Sequence, residues 1–329
     1  MGSNDNMATT EISKLAAPVK AEDVWAQRIA FAAMLLFFVI APFVVYPVFL
    51  MKIMCFALFA CAFNLLIGYS GLLSFGHAMF LGSASYLCAY AAKEWGFTPE
   101  LAILFGTAGA AVLAVATGLL AIRRQGIYFA MITLALAQMI FFFCVRVPFT
   151  GGEDGIQAVP RGALLGLIDL NNVGAMYGFV LAIFVGGFLL IYRIVHSPFG
   201  HLLQAIRENE SRVISLGYDT DRYKFLAYVM SGTLAGLAGA TKALVFQLAS
   251  LTDVHWGMSG EVVLMTLLGG LGTVFGPVVG AAVIIGMENY LTHLGAWVTV
   301  VQGTIFVICV LAFRRGIVGE LGRLLKRSL

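Results

Sequence analysis

Three ionisable side chains, Lys242, Glu261 and Glu288, lie within or at the ends of long apolar runs. Charge in hydrocarbon is costly, and such residues usually face a protein interior or a water-filled cavity. Lys242 and Glu261 fall toward the same side of consecutive runs, where they can pair. The alternative is that each sits near an interface and reaches water along its aliphatic stem. His77 follows Gly76 at the start of another run. It suits a helix cap or a core hydrogen bond, and one histidine is thin support for a proton relay. Two glycine-rich breaks, 68–76 (GYSGLLSFG) and 269–277 (GGLGTVFGP), each interrupt an apolar pair, one in each half of the chain. Paired interruptions point to a solute pathway, because broken helices expose backbone groups that bind solute. Tight turns between neighbouring helices are the plainer reading. On the pathway reading, Ser70, Ser74 and Thr273 are the small polar residues best placed to line it.

Other chemistries lack their residues. No lysine follows a glycine, so there is no GxxxxGKS/T phosphate loop, and there is no HExxH and no histidine pair at i, i+4. No metal or cofactor is expected. If ATP drives movement here, another chain binds it. The five cysteines, Cys55, Cys61, Cys88, Cys144 and Cys309, form no CxxC pair and read as small buried side chains. Gly232-x-x-x-Gly236, extended by Gly239 and Ala240, and Gly276-x-x-x-Gly280 mark helix faces that pack closely.

The elements that must hold these residues follow from composition. Of 329 residues, 60% are hydrophobic and only 11% charged, with a mean hydropathy of +0.94. A soluble fold of this length needs more polar surface, so an ordinary cytosolic enzyme, a disordered chain and a nucleic-acid binder are excluded. The apolar runs are continuous rather than alternating, which disfavours a barrel. The chain reads as an all-α polytopic integral membrane protein with about ten transmembrane helices, some short or broken at glycine-rich breaks. The candidate spans are 29–51, 53–70, 75–92, 101–121, 127–145, 174–195, 225–249, 258–272, 275–292 and 297–313. The run from Ile29 has no small-residue cleavage site and is expected to remain as a span. With both termini cytoplasmic, fifteen Lys and Arg face inward and four, Lys52, Lys93, Arg146 and Arg161, face outward. Residues 1–28 are then a cytoplasmic tail, 29–313 the membrane body and 314–329 a basic cytoplasmic tail. The turn-rich loop 146–173 faces out, and the loop 196–224 faces in. Within the latter, His201 to Leu216 predicts an amphipathic helix whose apolar face holds Leu202, Leu203, Ile206, Val213 and Leu216. The cluster Arg207-Glu208-Asn209-Glu210 on that helix is either a solvated loop or a docking segment for a cytoplasmic partner.

Taken together, these stretches resemble a known family. The run Asn64-Leu65-Leu66-x-Gly68-Tyr69-x-Gly71-x-x-Ser74-x-Gly76-His77-Ala78-x-Phe80-x-Gly82 is its first signature. Thr133-Leu134-Ala135 and Thr150-Gly151-Gly152-x-Asp154-Gly155 follow. Gly200-x-x-x-x-Ala205-Ile206-Arg207-Glu208-Asn209-Glu210 through Gly217 is similar to an ATPase-coupling loop. Ser259-x-Glu261, Gly269-Gly270-x-Gly272-Thr273 and Gly276-Pro277-x-x-Gly280-Ala281 resemble the last signature. Over roughly 55–315 the chain resembles the permease subunits of branched-chain amino acid ABC importers, in particular the LivM-type membrane subunit. The resemblance implies a subunit of the bacterial inner membrane that is not itself an enzyme. Its implied partners are a second homologous permease, two cytoplasmic ABC ATPases, a periplasmic solute-binding protein and membrane lipid, with no nucleic acid. Ala205, Ile206, Arg207, Glu208, Asn209, Glu210 and Gly217 would couple to an ATPase. Ser70, Gly71, Ser74, Gly76, His77, Thr133, Glu261, Gly270, Gly272 and Thr273 are the candidate pathway residues. Ser211 departs from the pattern, standing where many relatives carry a small apolar residue. Importers of urea, short amides or aromatic acids share nearly all these motifs and are the alternative. An ion-coupled secondary transporter using His77, Lys242, Glu261 or Glu288 is the rival of a different class.

Overall fold

The computed structural model describes residues 21–124, 126–164, 166–291, 297, 300–301, 303–304, 306–307 and 316–324. The described chain is built of helices: α1 Ala21–Ile40, α2 Pro47–Asn64, α3 His77–Lys93, α4 Pro99–Ala121, α5 Ile127–Arg146, α6 Val173–Val195, α7 Pro198–Ser215, α8 Thr220–Phe246, α9 Trp256–Gly269, α10 Gly276–Leu291 and α11 Gly316–Leu324. Local chemistry sets many of these boundaries. Proline occupies the first turn of α2, α4 and α7, where its missing N–H costs nothing. Asn172, Ser197 and Asp219 cap α6, α7 and α8 by accepting from the N–H of Gly174, Gly200 and Arg222. The all-α polytopic architecture is as the sequence implies, and among the described residues five helices are long and apolar enough to cross a membrane.

One boundary is corrected. The expected break between the first two spans, at Lys52, does not exist. The chain breaks over 41–46 instead, where the short 3-10 turn Ala41–Phe43 contains Pro42 and α2 begins at Pro47, and α2 runs unbroken through Lys52. Proline removes a helical N–H, whereas Lys52 keeps its backbone bonds and pairs its ammonium with Glu288. A π turn, Leu65–Ser70, continues α2 as far as Gly71, whose φ of 74° ends it. The span expected at 297–313 lies mostly outside the described residues.

Helix α2 is the axis of the fold, with 89% of its most apolar window buried. For α4, α5 and α6 the share is 28–33%, so most of their surface is left for lipid. Leu104, Val112 and Leu119 on α4 and Met131, Met139 and Phe142 on α5 are exposed accordingly. Helix α8 threads between α3 and α4 on its small residues. A Cβ at Gly236 would overlap Ala110, and one at Gly239 would overlap the Leu81 carbonyl. Cys55, Cys61, Cys88 and Cys144 are buried and free, and Cys309 lies outside the described residues.

The two hydrophilic connections sit at opposite ends of α6 and α8. One is α7. The other, 147–172, folds tightly and includes the antiparallel pair β2 (Ala163–Leu164) with β3 (Ile168–Asp169). Its β1 (Ile156–Gln157) pairs with β4 (Leu248–Ala249), which directly follows α8. Arg161 donates from Nη2 to the Val245 carbonyl at 2.8 Å and from Nε to the Leu244 carbonyl at 3.3 Å, capping α8.

Candidate functional site

Helices α9 and α10 are 14 and 16 residues long, and α3 is 17. At 1.5 Å per residue each is too short to cross about 30 Å of hydrocarbon alone. The two glycine breaks therefore lie inside the bundle, and the fold brings them together. Asn64, 3% exposed on α2, holds the junction. Its Nδ2 donates to the Thr273 carbonyl at 2.8 Å, and its Oδ1 accepts from the Gly272 N–H at 3.0 Å. Gly68 lies one turn further on, so close to Gly272 that a Cβ would come within 2.8 Å of the Gly272 nitrogen.

The α7 segment reaches this junction through one side chain. Arg207 donates from Nη1 to the Gly68 carbonyl. Its Cγ would lie 3.1 Å from a Cβ at Gly71, and its Nη1 3.4 Å from one at Gly272. The guanidinium thus lies against both breaks at once. Glu210 faces inward as well, accepting from Lys224 on α8 and from the Thr220 hydroxyl at 3.0 Å. Lys224 is 3% exposed, so this pair fixes α7 to the base of α8. Between these two anchors the helix bends. Asn209 has φ −157° and ψ 90°, and its Oδ1 accepts from the Arg212 N–H at 3.1 Å, so it caps a second short helix.

The single amphipathic helix expected over 201–216 is therefore two helices. Its apolar face is narrower than expected. Leu203, Ile206 and Val213 are buried, Leu202 and Ala205 half-buried, and Leu216 is 70% exposed beyond the bend. Gln204, Glu208, Ser211 and Arg212 face outward. Gly217, at φ 89°, turns the chain back into α8.

The remaining candidates form a second group, at the start of α3. The Ser74 hydroxyl accepts from the Gly76 N–H at 3.2 Å, that of Thr133 from the Phe75 N–H at 3.2 Å, and that of Ser259 from the Ala78 N–H at 2.9 Å. Thr273 does the same for α10, accepting from the Gly276 N–H at 3.2 Å while donating to the Gly270 carbonyl at 2.8 Å. Both half-helices thus begin on hydroxyl caps deep in the protein. Ser70 is not available to a ligand, since its hydroxyl donates to the Leu66 carbonyl at 2.6 Å. His77 is fully buried among Phe63, Phe80 and Tyr228, with Nε2 2.8 Å from the Ser231 hydroxyl. Those contacts are those of a core histidine.

Glu261 joins neither group, and the pair with Lys242 that the sequence leaves open is not made. Lys242 bonds to Asp253 instead. After α8 ends at Gln247 (φ 54°), the 3-10 turn Leu251–Asp253 folds back and delivers a carboxylate to Lys242. Lys224 and Asp253 are residues that sequence reasoning passed over, and Asn64 opens the first signature without being among the candidate pathway residues. The available signal was a polar residue one turn before a glycine break for Asn64, and a charge just past a span for Asp253.

A family described as branched-chain amino acid transport system / permease component matches residues 47–310. The high-affinity branched-chain amino acid transport system permease protein LivM of Salmonella typhimurium is 24% identical over 283 residues, which is 78% of this chain and 65% of that protein. LivM of Escherichia coli matches with the same figures, so the chain spans about two thirds of the length of these relatives. The ribose import permease protein RbsC of Bacillus subtilis is 28% identical over 242 residues, 67% of this chain and 70% of its own. No solved structure matches.

Proposed function

This chain belongs to the branched-chain amino acid transport system permease family, and from that premise we propose that it is one membrane subunit of an ATP-driven importer of branched-chain amino acids. It works beside a second homologous permease in the bacterial inner membrane. A periplasmic solute-binding protein delivers solute, and two cytoplasmic ABC ATPases supply the energy. Both termini and α7 face the cytoplasm, a reading that the excess of Lys and Arg on that side supports. The outward residues of α7 meet an ATPase, and the inward ones transmit its movement.

One observation supports this reading above the others: Arg207 and Glu210 tie a surface segment to the interior at two points, the Gly68 carbonyl and Lys224. Gly68 lies within the π turn of α2, and π turns inside helices are frequent at functional sites. A push on α7 therefore reaches both glycine breaks through one guanidinium, and the broken helices tilt with it.

The test is uptake of labelled leucine by source cells with and without the gene. The gene is restored intact or carrying Arg207→Ala with Glu208→Ala. Uptake restored only by the intact gene supports solute and coupling together. Uptake fully restored by the double variant overturns the coupling role. A second reading, a pentose as the solute, draws on the likeness to ribose permeases. Loss of ribose uptake with leucine uptake intact would favour it.

A further inference from the structure

Away from the glycine breaks, and within about a turn of the α8 terminus that Arg161 caps, the described helices gather ionisable groups from five elements. Lys52 on α2 pairs with Glu288 on α10 at 3.0 Å, and Lys242 on α8 pairs with Asp253 on the connector. The two pairs bracket a single ring. Lys52 Nζ lies 6.0 Å and Lys242 Nζ 5.6 Å from the centre of Phe56. Glu261 on α9 lies within electrostatic reach of Lys52, Lys242, Asp253 and Glu288, and it accepts no hydrogen bond among the described residues. At the base, Asp253 is 1% exposed and its Oδ2 also lacks a partner among the described residues.

The group is graded from open to closed. The Glu288 side chain is 46% exposed, Glu261 is half-buried and Asp253 is closed off. A flank carrying charge at this depth does not face hydrocarbon; it faces water or another protein. Two ammonium groups stand against three carboxylates here. An apolar wall, Phe56, lies between the lysines. Lys242 takes one oxygen of Asp253, and the other oxygen and Glu261 are left without a hydrogen-bond donor among the described residues.

We propose that Glu261 and Asp253 receive the ammonium group of the transported amino acid, and that Lys52, in its solvent-open pair, faces the solute carboxylate. This rests on the amino-acid reading above. The whole importer, purified through this chain and placed in nanodiscs without its binding protein, is probed by saturation-transfer NMR. The probes are leucine, 4-methylpentanoate, which lacks the ammonium, and 3-methylbutylamine, which lacks the carboxylate. Glu261→Gln should weaken leucine binding about tenfold or more, the usual scale for a lost bond to a charged group. It should leave 4-methylpentanoate unchanged, whereas Lys52→Gln weakens both. Unchanged leucine binding in Glu261→Gln, or an equal fall for 4-methylpentanoate, would overturn the assignment. A measurement on the unmodified importer does not depend on a variant folding: 3-methylbutylamine must displace leucine, and failure to do so overturns the assignment as well. Leucine uptake by source cells carrying the intact gene separates the two readings. Its absence overturns the substrate class and this site together, while its presence with any of the adverse binding results overturns the site alone.

Discussion

Arg207 and Asn64 meet the same junction from different sides. Asn64 joins the two glycine breaks to each other, and Arg207 joins both to a surface helix. Replacing Asn64 by Ala strands the Gly272 N–H and the Thr273 carbonyl away from water. Leaving such a group unpaired costs about 1–3 kcal/mol. Asn64→Ala is therefore expected to lower unfolding stability by at least that much, seen as a fall in the thermal midpoint of the purified protein in detergent. An unchanged midpoint would mean that the junction does not depend on this side chain. Neither contact was legible beforehand. The partners are 208 and 209 residues apart in the chain, and no local pattern encodes that separation. The glycine breaks themselves were legible, because glycine and small polar residues interrupt an apolar run in only a few ways. Asp253 escaped notice for the opposite reason. It falls where a loop was expected, and only the backbone reversal at Gln247 shows that it faces the interior.

Among the elements, those with regular apolar period were readable and those shaped by a single residue were not. Helices α4, α5 and α6 lie within a few residues of their expected positions, since their apolar length agrees with the local boundary signals, Pro99 for α4 and Asn172 for α6. The first break moved to Pro42 and Pro47 because backbone chemistry outweighs a lysine that can be paired. The bend in α7 depends on Asn209, a residue tolerated in a helix and equally suited to capping one. Arg207 and Glu210, three residues apart, anchor the segment on either side of this bend, while Glu208 stays outward. The loop 147–172 is likewise set by one position. Gly155 has φ 68° and ψ −169°, a region open almost only to glycine, and a Cβ there would overlap the Ala249 carbonyl. Gly155→Ala should destabilise the fold by about 1–3 kcal/mol from backbone strain alone. It should also loosen the β1–β4 pair that closes the end of α8. Hydrogen exchange at Leu248 and Ala249 would report that loosening, and unchanged protection would show that the loop tolerates a side chain.

At the scale of the whole molecule, the surface divides into two kinds. The exposed flanks of α1, α4 and α5 are apolar, with Leu36, Phe37, Val112, Leu119, Met131 and Phe142 open. The flank formed by α2, α9 and α10 carries Lys52, Glu261 and Glu288 instead. Hydrocarbon accepts the first kind and rejects the second, so the charged flank faces water or another protein. That division fixes which sides meet lipid, but it does not by itself fix which end faces the cytoplasm. On the Lys and Arg imbalance, α7 is expected inside and the loop 147–172 outside. Glu153 in that loop and Glu208 on α7 are both exposed, and they lie at opposite ends of the bundle. The four described cysteines are buried, so with Cys309→Ser the background labelling is low. In spheroplasts, Glu153→Cys should react with a membrane-impermeant maleimide at once, and Glu208→Cys only after permeabilisation. Glu208 was chosen because it touches neither the glycine junction nor Lys224, so the label reports position without disturbing either anchor. The reverse order of labelling would invert the molecule. It would place the charged mouth on the cytoplasmic side, where an ammonium subsite would meet solute on its way out of the path rather than on its way in.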